Sequence, residues 1–225
     1  LTFTEYNYDG IGKLVFTISG SSRSSVQSVS GVTASNVMSL SAGQVETILG
    51  DDMTIAVYDT VNNRIDHIWS KSDSSVVNIS KYNYNSDGQL VYTVTGSSLS
   101  EVSNLSGVTV NNVDSLSDSA IDSILNDGVS LSVYDLDTGL VDHVWSKDDN
   151  GERTYTKYGY DSGGTLVFTL SGGRRADVDS VSQISASNVR SLSRSQVNSY
   201  LSADMSLAVY DSTGEKIDYV WSKDV

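Results

Sequence analysis

The sequence of 225 residues contains no cysteine and no proline. Without cysteine, neither a disulfide framework nor a thiolate metal site can form, so the chain lacks the strongest signature of small secreted modules. Secretion itself is not excluded, because bacterial surface proteins often have no cysteine. Without proline, the polar segments 70–80 and 146–156 are predicted to be flexible linkers rather than stiff spacers.

Basic residues are scarce as well, with 14 Lys and Arg against 28 Asp and Glu, which gives a net charge of −14. Nucleic acids and anionic membranes attract basic surfaces, so this charge argues against both as partners. No apolar run approaches the roughly 18 residues of a membrane-spanning helix, and no membrane insertion is predicted. The chain begins at Leu1 in mid-pattern, which we expect of a processed or excised part of a larger protein.

Signatures of catalysis are missing too. The two histidines are His67 and His143, and the corresponding residue further along the chain is Tyr219. A catalytic base or a metal ligand would not tolerate that exchange, and the histidines are predicted to be half-buried fillers. The sequence contains no GxSxG, HExxH or P-loop motif, and no GxGxxG follows a strand. We therefore predict a protein that is not an enzyme and has no cofactor, with calcium as the one candidate ion.

The dominant feature is an internal repeat. Trp69, Trp145 and Trp221 recur at intervals of 76 residues, and so do the leucines at 40, 116 and 192. A period of this length is sufficient for a small domain. We predict three domains, 1–73, 74–149 and 150–225, docked on one another.

Within one repeat the hydrophobic period changes from two to about 3.6 and back. Leu14, Phe16 and Ile18 alternate along a strand that follows a glycine-containing turn, which predicts a β-hairpin. Ser41 and Gln44 have the spacing of a capping box, which predicts a helix of about three turns. A second hairpin then places Met53, Ile55 and Val57 inward. Each repeat is thus predicted as ββαββ, a two-layer antiparallel sheet with one short helix, in a β-dominated α+β fold.

The motif DHIWSK at 66–71 recurs as DHVWSK and DYVWSK. Ile65, His67 and Trp69 share one face of a strand. Since a tryptophan beside an isoleucine on a strand is more often core than binding platform, we interpret the motif as scaffold.

Aspartates at the strand ends are the candidate metal ligands. One residue per repeat ends a strand and another lies opposite it across the second hairpin. The six residues are Asp59 and Asp66, Asp135 and Asp142, and Asp211 and Asp218. Paired carboxylates suit calcium or the acid and base of a glycoside hydrolase. The simpler interpretation, which we favour, is that each aspartate bonds the backbone of its own turn.

Tyrosines are the candidate contact surface for a ligand or partner. They recur on the strand faces that point away from the predicted core. The nine residues are Tyr6, Tyr8, Tyr58, Tyr82, Tyr84, Tyr134, Tyr158, Tyr160 and Tyr210. With neighbouring Asp, Ser and Thr, they would suit stacking on sugars or contact with a protein. The alternative is that two of the three tyrosines in each repeat cover the edge of the core.

The segments that begin at Ile184, Val32 and Val108 and end in VYD plus one residue resemble repeats of very large secreted bacterial surface proteins, including those of cyanobacteria. The resemblance implies an extracellular or particle-surface structural or adhesive protein that presents one surface three times and gains avidity by repetition. The partners would be further protein, by self-assembly, or surface glycans. The alternative is a lectin-like module with one weak sugar site per repeat.

Overall fold

A computed structural model describes residues 1–72, 76–103 and 105–223, and the fold is β-dominated α+β, as predicted. The described strands are β1 Phe3–Tyr8, β2 Leu14–Gly20, β3 Met53–Asp59, β4 Arg64–Lys71, β5 Val77–Tyr84, β6 Leu90–Gly96, β7 Ser130–Tyr134, β8 Val141–Lys147, β9 Arg153–Tyr160, β10 Leu166–Gly172, β11 Met205–Tyr210 and β12 Ile217–Lys223. The helices are α1 Arg23–Ser28, α2 Ala42–Ile48, α3 Leu99–Ser103, α4 Asp118–Ile124, α5 Arg175–Asp179 and α6 Arg194–Tyr200. Short 3₁₀ turns occupy Val37–Ser39, Val113–Ser115 and Val189–Ser191.

The strands form an antiparallel sheet in which sheet order follows chain order, from β1 to β12. The chain divides into two compact units, one of residues 1–83 and 93–105 and one of residues 84–92 and 106–225. The division into three domains stays a prediction. Its 73/74 boundary lies outside the described residues, and its 149/150 boundary lies in the turn between β8 and β9, two strands that pair with each other.

The segment 146–156, predicted as a flexible linker, is a hairpin instead. Lys147 pairs with Arg153 across the turn, and the carboxylate of Asp148 accepts hydrogen bonds from the backbone N–H groups of Asn150 and Glu152. The prediction was wrong because the polar turn is short and the strands on both sides of it alternate only weakly between apolar and polar residues. In the segment 70–80, residues 73–75 lie outside the described residues, while β4 and β5 occupy both sides of them.

The first hairpin of each 76-residue interval turns as its sequence predicts. The carboxylate of Asp9 accepts hydrogen bonds from the N–H groups of Ile11 and Lys13, and Gly12 has φ of +83°. Glycine adopts this left-handed backbone without steric cost. Asn85 and Asp161 make the equivalent bonds in the later turns.

The predicted helix begins where expected and ends early. Ser41 and Gln44 form the capping box of α2, and the same arrangement starts α6. The helix has seven residues rather than three turns, because Leu49 adopts extended backbone and its side chain is buried. The sequence pattern missed α1, α3 and α5, which have five or six residues each. Among the described residues, no helix is long and apolar enough to cross a membrane.

The core lies between the helices and one face of the strands. Met53, Ile55 and Val57 are buried on this face, as predicted. A Cβ atom at Gly20 would lie 3.2 Å from both Met53 and Val26, so α1 covers the same face of the sheet. In the second unit the same relation holds for Gly172, Met205 and Val178. We call this the helix-covered face; the other face carries the predicted tyrosines.

Candidate functional site

The DHIWSK motif is a set of structural contacts. Trp69 and Trp145 are fully buried, which confirms their predicted place in the core. The ammonium group of Lys71 donates to the carbonyl oxygens of Glu46 and Leu49, at the end of α2. Lys147 and Lys223 bond the corresponding carbonyls after α4 and α6. Since the last carbonyls of a helix have no partner within the helix, the lysine serves as a helix cap.

The histidines are more buried than predicted, with 1 % of His67 and none of His143 exposed. Nδ1 of His67 donates to Asp66 at 2.6 Å, and Nδ1 of His143 donates to Asp142 at 2.7 Å. Nε2 of each ring has no hydrogen-bond partner among the described residues. At the third position the hydroxyl of Tyr219 instead donates to the carbonyl oxygen of Val189. Because an aspartate accepts the hydrogen bond from Nδ1, each imidazole ring can lie in the core. The sequence pattern did not indicate this burial.

Three of the predicted metal ligands are engaged in their own turns. Asp59 accepts bonds from the N–H groups of Val61 and Asn62 and from the Asn62 side chain. The bond from the Asn62 side chain lowers the pKa of Asp59. Asp135 and Asp211 accept equivalent bonds from Thr138 and Thr213, which lower their pKa values. Hydrogen bonds of this kind are expected when an aspartate bonds the backbone of its own turn.

The other three aspartates occupy β-bulges. On β4, His67 pairs with Val57 and Ile65 pairs with Tyr58, which leaves Asp66 as the extra residue. Asp142 and Asp218 hold the same position on β8 and β12. The expected opposition of Asp59 and Asp66 was wrong, since Asp59 pairs with Arg64. A bulge redirects a side chain, and no periodicity in the sequence marks it.

The bulged aspartates have lowered pKa values for local reasons. Burial of Asp66 favours its neutral form, but hydrogen bonds from His67 and from Lys81, at 2.6 Å, outweigh burial and lower the pKa. At Asp142 the hydrogen bond from His143 is the largest cause of the lowered pKa. Asp218 is exposed on β12. Asp66 and Asp142 are therefore carboxylates at neutral pH.

A groove in the second unit brings several predicted site residues together. Its volume is about 640 Å³. Its lining includes Asp135 and Asp142 with Tyr158 and Tyr160, and it also contains Asp161, which is not among the predicted site residues. The groove lies on the tyrosine-bearing face, because Tyr155 on the same strand points to the helix-covered face and side chains alternate along a strand.

The tyrosines of the groove form an ordered pair. The rings of Tyr158 and Tyr160 are 6.5 Å apart between centroids and 16° from parallel. Burial raises the pKa of Tyr160 to about 12, and that of Tyr158 is also raised, first by burial and then by Tyr210. Tyr134 and Tyr210 lie near enough to Tyr160 to raise its pKa further. The second unit thus carries four neighbouring tyrosines.

The remaining predicted tyrosines are spread over other strands. Tyr6 and Tyr8 on β1 are 57 % and 58 % exposed. Tyr58, Tyr82 and Tyr84 are half-buried, as are Tyr134, Tyr158, Tyr160 and Tyr210. Intermediate burial leaves room for both interpretations, contact surface and cover for the core edge.

A further cluster has ligand-type side chains. Atoms of Asp114, Asp142 and His143 lie within 4.8 Å of one another, which is the one such group of three in the part of the chain that the structure describes. The residues that correspond to Asp114 at the 76-residue interval are Met38 and Arg190. The cluster therefore occurs once, and Nδ1 of His143 already donates to Asp142. Sequence reasoning missed Asp114 because its position varies between repeats.

Comparison with known proteins gives no family. No protein-family model matches the sequence, and no curated protein matches it. Among solved structures, the chain is similar to a chain in the Photorhabdus luminescens Tc holotoxin pore, with 12 % identity and a TM-score of 0.29, over 100 % of this chain and 11 % of that one. It is also similar to a chain in the crystal structure of TcdB2-TccC3-TEV, with 12 % identity and a TM-score of 0.20, over 74 % of this chain and 7 % of that one. The chain spans only a small part of these proteins, and likenesses with such low TM-scores support no statement about its function.

Proposed function

We propose that the chain is a non-enzymatic, structural and adhesive repeat protein of an extracellular or particle surface, which binds its partner through the tyrosine-bearing face. The observation that carries the proposal is the groove of Tyr158, Tyr160, Asp135 and Asp142 in the second unit. Tyrosine rings supply rigid contact area with a polar end, which is why they are enriched at binding surfaces.

The protonation of the carboxylates supports binding rather than hydrolysis. Acid–base catalysis by two carboxyl groups requires one group whose pKa is raised, so that it holds a proton near neutral pH. Hydrogen bonds lower the pKa of both Asp135 and Asp142, from Thr138 and from His143. Two carboxylates can accept hydrogen bonds from a ligand, but neither can donate a proton at pH 7.

A lectin-like function is the second candidate, and the composition of the groove favours it. Thr138 and Ser162 line the groove beside the carboxylates and the tyrosine pair. Sugars offer hydroxyl groups to carboxylates and apolar ring faces to aromatic side chains, which matches this set of groups. The net charge of −14 disfavours polyanionic partners such as nucleic acid. A surface glycan of neutral charge therefore suits the groove.

The proposal is tested by binding of the wild-type chain to an array of immobilised neutral and acidic oligosaccharides and surface proteins, with the chain displayed on beads to provide avidity. We expect Tyr158→Ala and Tyr160→Ala to weaken capture about tenfold, a loss of about 1.4 kcal/mol. Tyr200→Ala, at a half-buried tyrosine on α6 outside the groove, is the matched control and should bind as wild type does.

Two outcomes would count against the proposal, and a third would decide between its two candidate functions. Release of reducing sugar from any arrayed glycan would contradict the non-enzymatic function. Equal loss of binding in the Tyr200→Ala control would show that the groove is not the contact surface. Capture of proteins but of no glycan would retain the adhesive function and reject the lectin-like one.

A further inference from the structure

Asp114, Asp142 and His143 come together beside a small cavity of the second unit. The cavity has a volume of about 320 Å³, and its lining includes Asp114 and Asp142 with Asp135. Ligand-type atoms of Asp114, Asp142 and His143 all lie within 4.8 Å of one another. Carboxylate oxygen and imidazole nitrogen are donors that bind Zn²⁺ and similar divalent ions in proteins. We call these three residues the Asp–His cluster.

His143 gives the cluster a buried polar group. Its side chain has no exposed surface, and Nδ1 faces the carboxylate of Asp142 at 2.7 Å. Nε2 has no hydrogen-bond partner among the described residues. In a neutral imidazole either nitrogen can carry the proton. With the proton on Nε2, the lone pair of Nδ1 points toward the carboxylate and is available to a cation.

The carboxylates of the Asp–His cluster have no cation in contact with them. Lys157, across from His143 on β9, pairs at 3.1 Å with a different aspartate and acts on Asp142 without contact. Arg175 donates to the backbone carbonyl oxygen of Asp114. Over the described ranges of the chain, neither Asp114 nor Asp142 forms an ion pair with a lysine or an arginine. Two carboxylates this close repel each other, and a bound cation would remove the repulsion.

The third 76-residue interval has a cation at the corresponding position. Arg190 lies 76 residues after Asp114, and its guanidinium group donates to the carbonyl oxygens of Tyr210 and Asp211, at 2.8 Å each. Positive charge is therefore bound at the end of β11 in that interval. In the second interval, Asp114 replaces this positive charge by a negative one.

The histidine position changes in the same interval as the aspartate position. Where the second interval has Asp114 and His143, the third has Arg190 and Tyr219, and the hydroxyl of Tyr219 donates to a backbone carbonyl oxygen. The first interval keeps a histidine but has Met38 in place of the aspartate. The exchange of histidine for tyrosine therefore argues against a metal site in every interval, but not against one in the second interval alone.

We propose that Asp114, Asp142 and His143 bind one divalent transition-metal ion, with Zn²⁺ as the reference ion, as a structural site of the second unit. Two atoms bound to one tetrahedral zinc ion lie about 3.3 Å apart, since each bond is about 2.0 to 2.1 Å long. No two ligand atoms of the cluster are more than 4.8 Å apart, so each separation has to change by at most about 1.5 Å. Asp114 is exposed, so water would fill the remaining coordination position.

The ligand set favours Zn²⁺ over Ca²⁺. Calcium takes about six to eight oxygen ligands, whereas this cluster supplies two carboxylates and a nitrogen. Asp135 lines the same cavity, but its Oδ1 atom accepts hydrogen bonds from Asp137 and Thr138 in its own turn. The site therefore differs from the predicted calcium ligands, and it does not rest on the tyrosine groove or on the proposed function.

Isothermal titration calorimetry of the untagged 225-residue chain with Zn²⁺ tests the site, in a buffer whose salt screens non-specific attraction to the acidic surface. We expect one strong site per chain. Asp114→Asn should weaken Zn²⁺ binding at least about tenfold, because even residues that only orient metal ligands contribute that much. Asp114→Arg, which introduces the residue of the third interval, should abolish the site. Asp149→Arg is the matched control, at an exposed residue in the turn between β8 and β9, and should bind Zn²⁺ as wild type does.

Two further measurements identify the ligands. The chain has two histidines, so nuclear magnetic resonance of ¹⁵N-labelled histidine should show Zn²⁺ changing the ring signals of His143 and leaving those of His67 unchanged. Zn²⁺ should also raise the midpoint of thermal unfolding of wild type and not that of Asp114→Arg, since binding to the folded state stabilises it. Without metal, Asp114→Arg should unfold at a temperature at least as high as wild type, which verifies that the variant is folded.

Four results would overturn the proposal. The first two are a wild-type chain that binds no Zn²⁺ and an Asp114→Asn variant that binds it as tightly as wild type. The third is a set of His143 ring signals that do not respond to Zn²⁺, since any binding would then involve carboxylates alone. The fourth is tighter binding of Ca²⁺ than of Zn²⁺, which would exclude a site built on imidazole.

Discussion

The substitution Trp145→Ala tests whether the repeated tryptophan is scaffold. In the structure Trp145 has no exposed surface, its ring lies 4.6 Å from that of Tyr155, and the guanidinium group of Arg153 lies 5.8 Å from its ring centroid. Arg153 also donates to the carbonyl oxygen of Gly173. Removal of the indole ring therefore empties a space that neighbouring side chains, held by their own contacts, cannot easily fill.

The expected loss can be estimated from this environment. Truncation of a fully buried tryptophan to alanine costs about 3 to 5 kcal/mol, since the transfer energy of the ring and the energy of the cavity add. Trp145→Phe should cost only about 1 to 2 kcal/mol, because most of the apolar area remains. The indole Nε1 has no hydrogen-bond partner within the described part of the chain, so phenylalanine removes a buried donor without breaking a bond. Trp221→Ala, at the half-buried counterpart on β12, should cost about 1 to 2 kcal/mol.

The assay is equilibrium urea unfolding, followed by far-ultraviolet circular dichroism at a protein concentration low enough to prevent association. Binding to the glycan and protein array is measured on the same variants. Equal losses of unfolding free energy for Trp145→Ala and Trp221→Ala would refute the argument from burial. An unchanged unfolding free energy for Trp145→Ala, together with lost binding, would show that the motif is a binding site and not scaffold.

Two further predictions concern a half-buried ion pair and a turn. Urea unfolding should show that Asp66→Asn is less stable than wild type at pH 7, and that the difference in unfolding free energy shrinks toward pH 3. The reason is that the pKa of Asp66 is lowered in the folded state. The stability that this gives is complete above about pH 4, and it is lost as the pH falls through the pKa of the folded state. A pH-independent difference would contradict this assignment. Gly214→Ala should cost about 2 to 4 kcal/mol, since φ is +74° and a Cβ atom would lie 2.9 Å from the carbonyl oxygen of Leu166. Gly139→Ala, with φ of +71° and no atom within 4 Å, isolates the backbone contribution and should cost about 1 to 2 kcal/mol by thermal unfolding; equal losses would show that the contact with Leu166 is unimportant.

Periodicity was sufficient to predict the elements whose side chains alternate strictly. The inward face of β3, the capping box of α2 and the glycine turns of the first hairpins were predicted and are confirmed. Helix α1 was missed because it has six residues and a single buried side chain, Val26. One apolar residue produces no helical period, so the sequence of α1 resembles that of a serine-rich loop.

Register and burial were less accessible to prediction. The bulge at Asp66 shifts the pairing of β3 with β4 by one residue, and Asp59 pairs with Arg64 rather than with Asp66. A bulge depends on how two strands pair, and a single strand's sequence does not record it. For the same reason the burial of His67 was underestimated, since its Nδ1 partner is the redirected Asp66. Asp135, Asp142 and the tyrosine pair could be predicted as site residues. That they line one groove could not be predicted, because it depends on the register in which the strands pair.

Residues that recur every 76 positions in this chain include both structural residues and surface residues. Lys71, Lys147 and Lys223 are the same residue because each binds backbone carbonyl oxygens, which do not vary with sequence. The tyrosine positions are equally constant, yet their side chains lie on the face away from the helices and are only half-buried or exposed. Packing of the core does not require tyrosine at such positions.

The rim of the groove, in contrast, varies between intervals. Leu140 lines the groove in the second unit. The residues 76 positions before and after Leu140 are Arg64 and Lys216. In this groove the aromatic and acidic floor would set the class of ligand, and the charge of the rim residue would set the preference among ligands of that class. Leu140→Lys should therefore shift binding on the array toward acidic oligosaccharides, while the floor residues Tyr158 and Tyr160 keep the ligand class unchanged.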